Sequence, residues 1–327
     1  MKKRTQLLLA SAALLASYLY VRQRSAQAEA QLPPSGRFLD VDGVRLHYVE
    51  RGSGPVVVLL HGNGALAQDF ENCGLVAELA RHYRVIAFDR PGYGYSDRPR
   101  GRLWTPDHQA ELLLAALCRL NVSNALVLGH SWGTMVALAM GLRNPGMVRG
   151  LVLLAGYYYP SVRADAFLQA GPAIPVLGDA MRFTLSPLVS RLLWPLFVRR
   201  MFSPCRIAAT FRRLPKWLTL RPLQLRASAA ESAMMIPAAA GLMKKYAGLT
   251  MPVALLAGEG DKMVSPGHNS ERLHRELLQS EIRIVPGVGH MLQYGARPEI
   301  VAAVHRMALR HPGLDFPRAA TDAPPCH

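Results

Sequence analysis

From about residue 37 onward, the chain alternates short strand-like patterns with longer helix-like ones. Several strand candidates are continuous apolar runs, including VVVLLHG at 56–62, ALVLGH at 125–130 and VALLAGEG at 253–260. Such runs indicate strands that are covered on both faces. The segments between them are amphipathic, and in one of them Thr105 can cap a helix whose first position is Pro106. The pattern predicts an α/β fold with a mostly parallel, eight-stranded sheet and helices on both of its faces.

One long region interrupts this alternation. Between Gly156 and Val253 the chain is rich in Leu, Met, Phe, Trp, Arg and Pro and has no strand signal. A structureless loop of that length is improbable in a compact domain. We therefore predict a helical cap at residues 157–250, between core segments at 37–156 and 251–312, and a C-terminal tail at 313–327. We expect the cap to be broken at Pro172, Pro175, Pro187, Pro195, Pro204, Pro215 and Pro222.

Charge is concentrated in two places along the 327 residues, whose formal net charge is +16. Residues 1–24 contain five basic and no acidic residues, and residues 159–248 contain 13 basic and 3 acidic ones, so the rest is nearly neutral. The sequence has no zinc-finger spacing, phosphate-binding glycine loop or RNA-binding aromatic motif, which argues against nucleic acid. A basic N-terminus and one basic segment instead favour contact with an anionic membrane surface.

The N-terminus combines a basic start with an uncharged stretch at residues 5–21. As a helix this stretch would be about 25 Å long, against a bilayer core of ~30 Å. We predict residues 1–24 to be a membrane anchor or a signal segment, followed by a linker at 25–36. Arg22 and Arg24 directly after the apolar run favour a retained anchor, whereas small residues near Ala28 leave a cleaved signal peptide open.

The cysteines give no framework for disulfides or metals. Cys73, Cys118, Cys205 and Cys326 are far apart and form no CxxC pair, although a single bridge remains open. We predict neither a metal nor a cofactor.

The candidate nucleophile is Ser131 in GHSWG at 129–133, where a strand pattern changes to a helix pattern. This is the sequence context of a nucleophile elbow. Asp261 follows a later strand and His290 follows the last one, giving the chain order serine, acid, histidine. A serine hydroxyl needs an imidazole to accept its proton, and the imidazole needs a carboxylate to orient it. We predict this triad, with Glu259 as the alternative acid.

An acyl-transfer site also needs two N–H donors for the developing oxyanion. One comes from the residue after the nucleophile, here Trp132. The loop HGNGA at 61–65 directly follows another strand and can supply the second donor, which we assign to Asn63.

Five short motifs follow one another along the chain: HGNG at 61–64, DRPGYGYSD at 89–97, GHSWG at 129–133, GEGD at 258–261 and VGH at 288–290. In these motifs and their order, residues 37–312 resemble an α/β-hydrolase of the capped, epoxide-hydrolase-like group. That resemblance implies a Ser-His-Asp hydrolase core, a helical cap after the sixth strand and structural roles for Asp89 and Gly92.

Haloalkane dehalogenases resemble this sequence in pairing an asparagine such as Asn63 with a tryptophan such as Trp132 to hold a halide. Those enzymes use an aspartate nucleophile, whose ester intermediate water can hydrolyse, whereas Ser131 would leave an ether. We therefore predict attack on an acyl carbon, with Trp132 forming a pocket wall. An esterase or lipase is favoured; a carbon–carbon bond hydrolase, a haloperoxidase-like member, an acyltransferase and a non-catalytic ligand-binding protein remain alternatives.

The cap mixes arginines with large apolar residues, as in SRLLWPLFVRRMFSP at 190–204. One interpretation is a surface that contacts anionic lipid and admits a hydrophobic acyl substrate. The other is an ordinary cap with solvated arginines. We expect a hydrophobic small-molecule substrate, membrane association through the N-terminus and no nucleic-acid partner.

Overall fold

A computed structural model describes residues 2–161 and 171–310 of the protein. Its centre is one eight-stranded sheet with the strand order β1-β2-β4-β3-β5-β6-β7-β8. The strands are Arg37–Val41 (β1), Val44–Arg51 (β2), Val56–Leu60 (β3), Arg84–Phe88 (β4), Ala125–His130 (β5), Val148–Leu154 (β6), Val253–Gly258 (β7) and Ser280–Val285 (β8).

The sheet is mostly parallel, which confirms the predicted fold class. Only β2 runs against its neighbours β1 and β4, and the remaining pairs are parallel. In the β3–β5 pair, Leu60 is in register with Gly129. Because both strands end there, the loops after β3 and β5 emerge side by side at one edge of the sheet.

Helices pack on both faces of this sheet, and further helices form the N-terminus and the cap. They are Lys2–Gln31 (α1), Gln68–Asn72 (α2), Leu75–Leu79 (α3), Pro106–Arg119 (α4), Trp132–Arg143 (α5), Leu177–Phe183 (α6), Leu185–Phe202 (α7), Lys216–Thr219 (α8), Pro222–Leu242 (α9), Ser270–Glu276 (α10), Leu292–Gly295 (α11) and Arg297–Leu309 (α12). All six residues of β5 are buried, as its apolar sequence predicts. Thr105 is the N-cap residue of α4, as predicted, and its Oγ1 accepts the His108 N–H at 3.1 Å.

The cap is a helical insertion between β6 and β7, built from α6 to α9. Residues 162–170 of the predicted cap lie outside the described residues, as do residues 313–327 and Cys326. The expectation that every proline breaks the cap is wrong for two of them. Pro187 and Pro195 both lie within α7. Pro187 occupies the first turn, where no backbone N–H has an intrahelical acceptor, so its missing N–H costs nothing there.

The N-terminal helix is longer than predicted, because α1 continues to Gln31 through most of the expected linker at 25–36. SAQAEAQ at 25–31 contains no glycine or proline and is mostly Ala, Gln and Glu, which favour helix. Within residues 2–161 and 171–310, no helix has both the length and the apolar character needed to cross a membrane. The second half of α1 packs on the cap, where Val21 and Ala28 are buried in a cluster with Trp217.

Candidate active site

Ser131 sits on a strained turn between β5 and α5. Its φ of 52° and ψ of −119° fall in a region that non-glycine residues rarely adopt. The flanking glycines allow this turn to form: a Cβ on Gly129 would lie 2.6 Å from Gly133 O, and one on Gly133 would lie 2.2 Å from Leu60 O. The sequence GHSWG therefore folds into a tight elbow that places the partly buried Ser131 at the edge of the sheet.

The structure brings the three predicted residues together. Ser131 Oγ lies 3.0 Å from His290 Nε2, and His290 Nδ1 lies 2.8 Å from Asp261 Oδ2. With Nδ1–H donating to the carboxylate, the unprotonated Nε2 faces the serine hydroxyl. This is the hydrogen-bond order that a serine nucleophile requires.

Asp261 is held as a charged acceptor. Its Oδ1 accepts the backbone N–H groups of Met263 and Val264 at 2.7 and 3.0 Å. Burial by itself would raise the pKa of Asp261, but the adjacent His290 and these hydrogen bonds outweigh it and hold the pKa below its usual value. The alternative acid, Glu259, is exposed, and its Oε2 accepts the Gly287 N–H at 3.4 Å.

His130, directly before the nucleophile, lies against the triad histidine. Its Nε2–H donates to the His290 backbone carbonyl at 3.0 Å, and the two ring centroids are 5.1 Å apart. Burial, followed by the proximity of His290, lowers the pKa of His130 to about 3. His130 is therefore a neutral donor that supports the loop carrying His290.

The loop after β3 passes directly beside the nucleophile, since a Cβ on Gly62 would lie 3.0 Å from Ser131 Cβ. The Asn63 side chain faces the cap: Nδ2 donates to Ser228 O at 3.2 Å and to Ser232 Oγ at 3.1 Å. Because the side-chain amide is engaged, the backbone N–H of Asn63 is the donor that could bind an oxyanion. Trp132 begins α5, where a backbone N–H has no intrahelical acceptor.

Asn63 and Trp132, the two residues that resemble the halide-binding pair of haloalkane dehalogenases, differ in whether their side chains have hydrogen-bond partners. The amide of Asn63 is occupied by α9, whereas Trp132 is buried and its Nε1 has no acceptor among the described residues. Asn63 would have to leave α9 before its amide could bind a halide.

A buried ion pair that sequence reasoning missed joins the loop after β4 to the cap. Arg90 Nη1 and Nη2 donate to Glu231 Oε1 and Oε2 at 2.5 and 3.0 Å. Two further groups donate to the same carboxylate: Gln109 Nε2 to Oε1 at 2.9 Å and Tyr93 OH to Oε2 at 2.7 Å. The signal in the sequence was a lone acid in the apolar cap segment ASAAESAMM, where an ionised side chain needs a partner.

The same arginine also fixes the backbone beside Ser131. Arg90 Nε donates to His61 O at 2.7 Å, and Nη2 donates to Gly62 O at 3.1 Å. His61 Nδ1–H donates to Gly62 O at 2.8 Å, while its Nε2 accepts the Arg90 N–H at 3.0 Å. Burial, with the Arg90 charge second, lowers the pKa of His61 to about 3, so its ring is neutral. These bonds pre-organise the proposed oxyanion loop.

The end of α7 also touches the triad. The His290 N–H donates to Met201 O at 3.0 Å, and a Cβ on Gly289 would lie 2.1 Å from Ser203 O. A cavity of about 140 Å³ opens beside this contact, lined in part by Phe202 and Met291. In the described part of the chain, no group of three or more His, Cys, Asp or Glu side chains is arranged to hold a metal ion.

A sequence model of the alpha/beta hydrolase fold family matches residues 55–296. The chain is 26% identical to haloalkane dehalogenase 2 of Mycobacterium tuberculosis (strain ATCC 25618 / H37Rv) over 282 residues, which cover 83% of this chain and 94% of the dehalogenase. It is 36% identical to 2-hydroxymuconate semialdehyde hydrolase of Pseudomonas sp. (strain CF600) over 131 residues, which cover 39% of this chain and 46% of that enzyme.

A solved structure extends the likeness to almost the whole chain. The crystal structure of a membrane phospholipase A, described as a novel bacterial virulence factor, matches with a TM-score of 0.66 and 22% identity. The match covers 96% of this chain and 99% of the phospholipase. At that identity the likeness shows a shared fold alone.

Proposed function

This chain belongs to the α/β-hydrolase fold family, and we propose that it is a serine hydrolase that cleaves an ester or related acyl bond of a hydrophobic small molecule. The observation that carries the proposal is the continuous hydrogen-bond chain from Ser131 Oγ through His290 to Asp261, at 3.0 and 2.8 Å. A hydroxyl, an imidazole and a carboxylate in that order are suited to acyl transfer.

In the proposed reaction, Ser131 Oγ attacks the acyl carbon while His290 Nε2 takes the hydroxyl proton. The backbone N–H groups of Trp132 and Asn63 stabilise the oxyanion of the tetrahedral intermediate. His290 then donates the proton to the leaving group, and an acyl-enzyme remains. Water attacks this ester, His290 accepts its proton, and collapse of the second intermediate releases the acid and restores Ser131. Asp261 orients the imidazole and stabilises its cationic form throughout.

The nucleophile argues against dehalogenation despite the similarity to haloalkane dehalogenase 2. Displacement of a halide by Ser131 would form a C–O ether bond to the protein, which water does not readily cleave. The Asn63 amide, bound by Ser228 and Ser232, is also not free for a halide. Both observations favour an acyl substrate.

Hydrolysis of a carbon–carbon bond is the second candidate. It is favoured by the 36% identity to 2-hydroxymuconate semialdehyde hydrolase, although that match spans only 131 residues. Ser131, His290 and Asp261 could catalyse this reaction as well. The two candidate reactions therefore differ in the leaving group, whose departing atom is oxygen in an ester and carbon in the alternative.

We further propose that the protein associates with a membrane through α1, with export after signal cleavage as the alternative. Leu7, Leu8 and Leu9 are 66–72% exposed, and on the cap Leu192 and Leu196 are 79% and 70% exposed. Exposed apolar side chains beside basic ones are typical of surfaces that contact lipid. The fold shared with a membrane phospholipase A over α1 as well as the core is consistent with this arrangement.

The test is an assay of the full chain in detergent on p-nitrophenyl esters of increasing acyl length, in parallel with Ser131→Ala. We expect turnover by the wild type, a loss of at least ~10³-fold in the variant, and labelling by a fluorophosphonate of the wild type only. Equal rates for the two proteins would refute the triad. If the wild type is labelled but hydrolyses no ester, a 2-hydroxymuconate semialdehyde substrate tests the carbon–carbon alternative. Absence of labelling would indicate a ligand-binding protein.

A further inference from the structure

A cavity of about 160 Å³ lies where α1 meets the cap, outside the triad. Three cationic side chains from three helices line it: Arg24 of α1, Arg191 of α7 and Lys216 of α8. No carboxylate is among the described residues that line it. Three further side chains with hydrogen-bond donors also line it: Gln27, Gln31 and Trp217.

The three cations lack the partners that other basic residues of this region have. Arg221 pairs with Glu29 at 2.9 Å, whereas none of Arg24, Arg191 and Lys216 forms an ion pair with a carboxylate of the described residues. Three like charges around one small space repel each other, and an anion between them would offset that repulsion.

Two hydrogen-bond donors at the same junction are also unsatisfied. Arg24 Nε and Trp217 Nε1 are buried and have no acceptor among the described residues. Arg24 Nη1 donates to Gln27 Oε1 at 2.9 Å, and the guanidinium lies 5.9 Å from the Trp217 ring centroid. Buried donors without acceptors are uncommon in folded proteins and call for an explanation.

We propose that this cavity binds a phosphate group, as a phosphate ester or diester, between the N-terminal helix and the cap. Guanidinium and ammonium groups are the side chains that recognise phosphate oxygens. A cavity of about 160 Å³ is smaller than the 300–1,000 Å³ typical of drug-sized ligands, so it suits a compact oxyanion. Small adjustments of Arg24 and Trp217 would give their free donors an acceptor.

The phosphate has two possible sources, the headgroup of a lipid and a soluble phosphate ester. Leu192, which directly follows Arg191, is 79% exposed, and Tyr20 contacts the Trp217 ring at 5.6 Å. The ring of Tyr20, which is 42% exposed, therefore adjoins a residue that lines the cationic cavity. The site goes beyond the proposed hydrolysis and does not depend on it, because it uses none of the triad residues and would bridge α1 to the cap.

The experiment compares Arg24→Gln/Arg191→Gln with Arg22→Gln/Arg199→Gln in the full chain. Both double variants remove two positive charges from α1 and α7, but only Arg24 and Arg191 line the cavity, and Arg22 and Arg199 do not. Glycerol 3-phosphate is titrated into detergent-solubilised protein in phosphate-free buffer. Flotation is measured with phosphatidylcholine vesicles that contain phosphatidylglycerol or, at equal surface charge, oleate.

We expect the cavity variant to bind about tenfold more weakly than the matched variant, since it loses charge-assisted hydrogen bonds. If that loss is seen with glycerol 3-phosphate and not with phosphatidylglycerol vesicles, the source is a soluble ester. If it is seen only with phosphatidylglycerol vesicles, and the wild type prefers them to oleate vesicles, the source is a lipid. Equal losses in the two variants, or no phosphate preference in either format, would overturn the proposal. If the Arg24→Gln/Arg191→Gln variant does not fold, the titration and the flotation measurements are repeated with Lys216→Gln in its place.

Discussion

Arg90 and Glu231 form a fully buried, two-pronged ion pair that joins the sheet core to the cap helix α9. The cost of removing both charges from water is offset only because Gln109, Tyr93 and the carbonyls of His61 and Gly62 complete their hydrogen bonds. The same arginine thus positions the cap and the loop beside Ser131.

The first prediction concerns this pair. Glu231→Gln leaves the Arg90 charge buried without a counter-charge, which we expect to destabilise the fold by ~3 kcal/mol or more and lower the melting temperature by ~6 °C. The matched control is Glu276→Gln, which breaks an exposed pair with Arg272 and should cost under ~1 kcal/mol. Similar melting temperatures for the two variants would show that the buried pair does not hold the cap.

The second prediction separates the two candidate acids. Asp261→Asn removes the carboxylate that fixes the His290 tautomer, and we expect kcat to fall by about 10³- to 10⁴-fold at neutral pH. Glu259→Gln alters an exposed side chain two residues away and should retain near wild-type turnover. Steady-state assays of both variants on one p-nitrophenyl ester decide the matter, and the reverse ranking would make Glu259 the acid.

The third prediction concerns stability against pH. Burial lowers the pKa of His130 to about 3, whereas the unfolded side chain titrates near 6.5. Between those values unfolding takes up a proton, so the stability from neutral His130 is complete above about 6.5 and is lost as the pH falls towards 3. His61 should act in the same direction.

His130→Gln isolates that contribution, because the raised pKa of buried Asp69 opposes it in the total. Urea unfolding at pH 6 and pH 5 should show that the free energy of unfolding changes by ~1.2 kcal/mol less in the variant over that pH unit. Between pH 8 and 9 the two proteins should change in parallel. Equal slopes at acid pH would mean that His130 is protonated in the folded protein.

The fourth prediction tests the contact between the cap and the triad loop. Gly289→Ala would place a Cβ 2.1 Å from the Ser203 backbone oxygen, so α7 and the His290 loop must separate. We expect kcat to fall at least tenfold as His290 shifts from Ser131, since small displacements of catalytic groups are costly. Gly267→Ala, whose nearest atom would be 3.9 Å away, should leave turnover unchanged. Unaltered kcat in Gly289→Ala would show that this contact does not position His290.

The sheet and the three residues that meet at its edge can be predicted from the amino-acid sequence. Apolar runs indicate burial on both faces, and residues that follow parallel strands must emerge at one edge. The sequence therefore places Ser131, Asp261 and His290 near one another. The strained backbone at Ser131 was likewise encoded by Gly129 and Gly133, because no larger residue fits there.

The way in which the cap joins the core becomes visible only when the elements are packed in three dimensions. The Arg90–Glu231 pair links residues 141 positions apart, and no local periodicity relates positions so distant. The same holds for the cavity between α1 and the cap, since three cations scattered from Arg24 to Lys216 form a site only when helices pack. The local pattern of apolar and polar residues indicates which face of a helix or strand is buried. The residues that contact that face depend on how all the elements pack together.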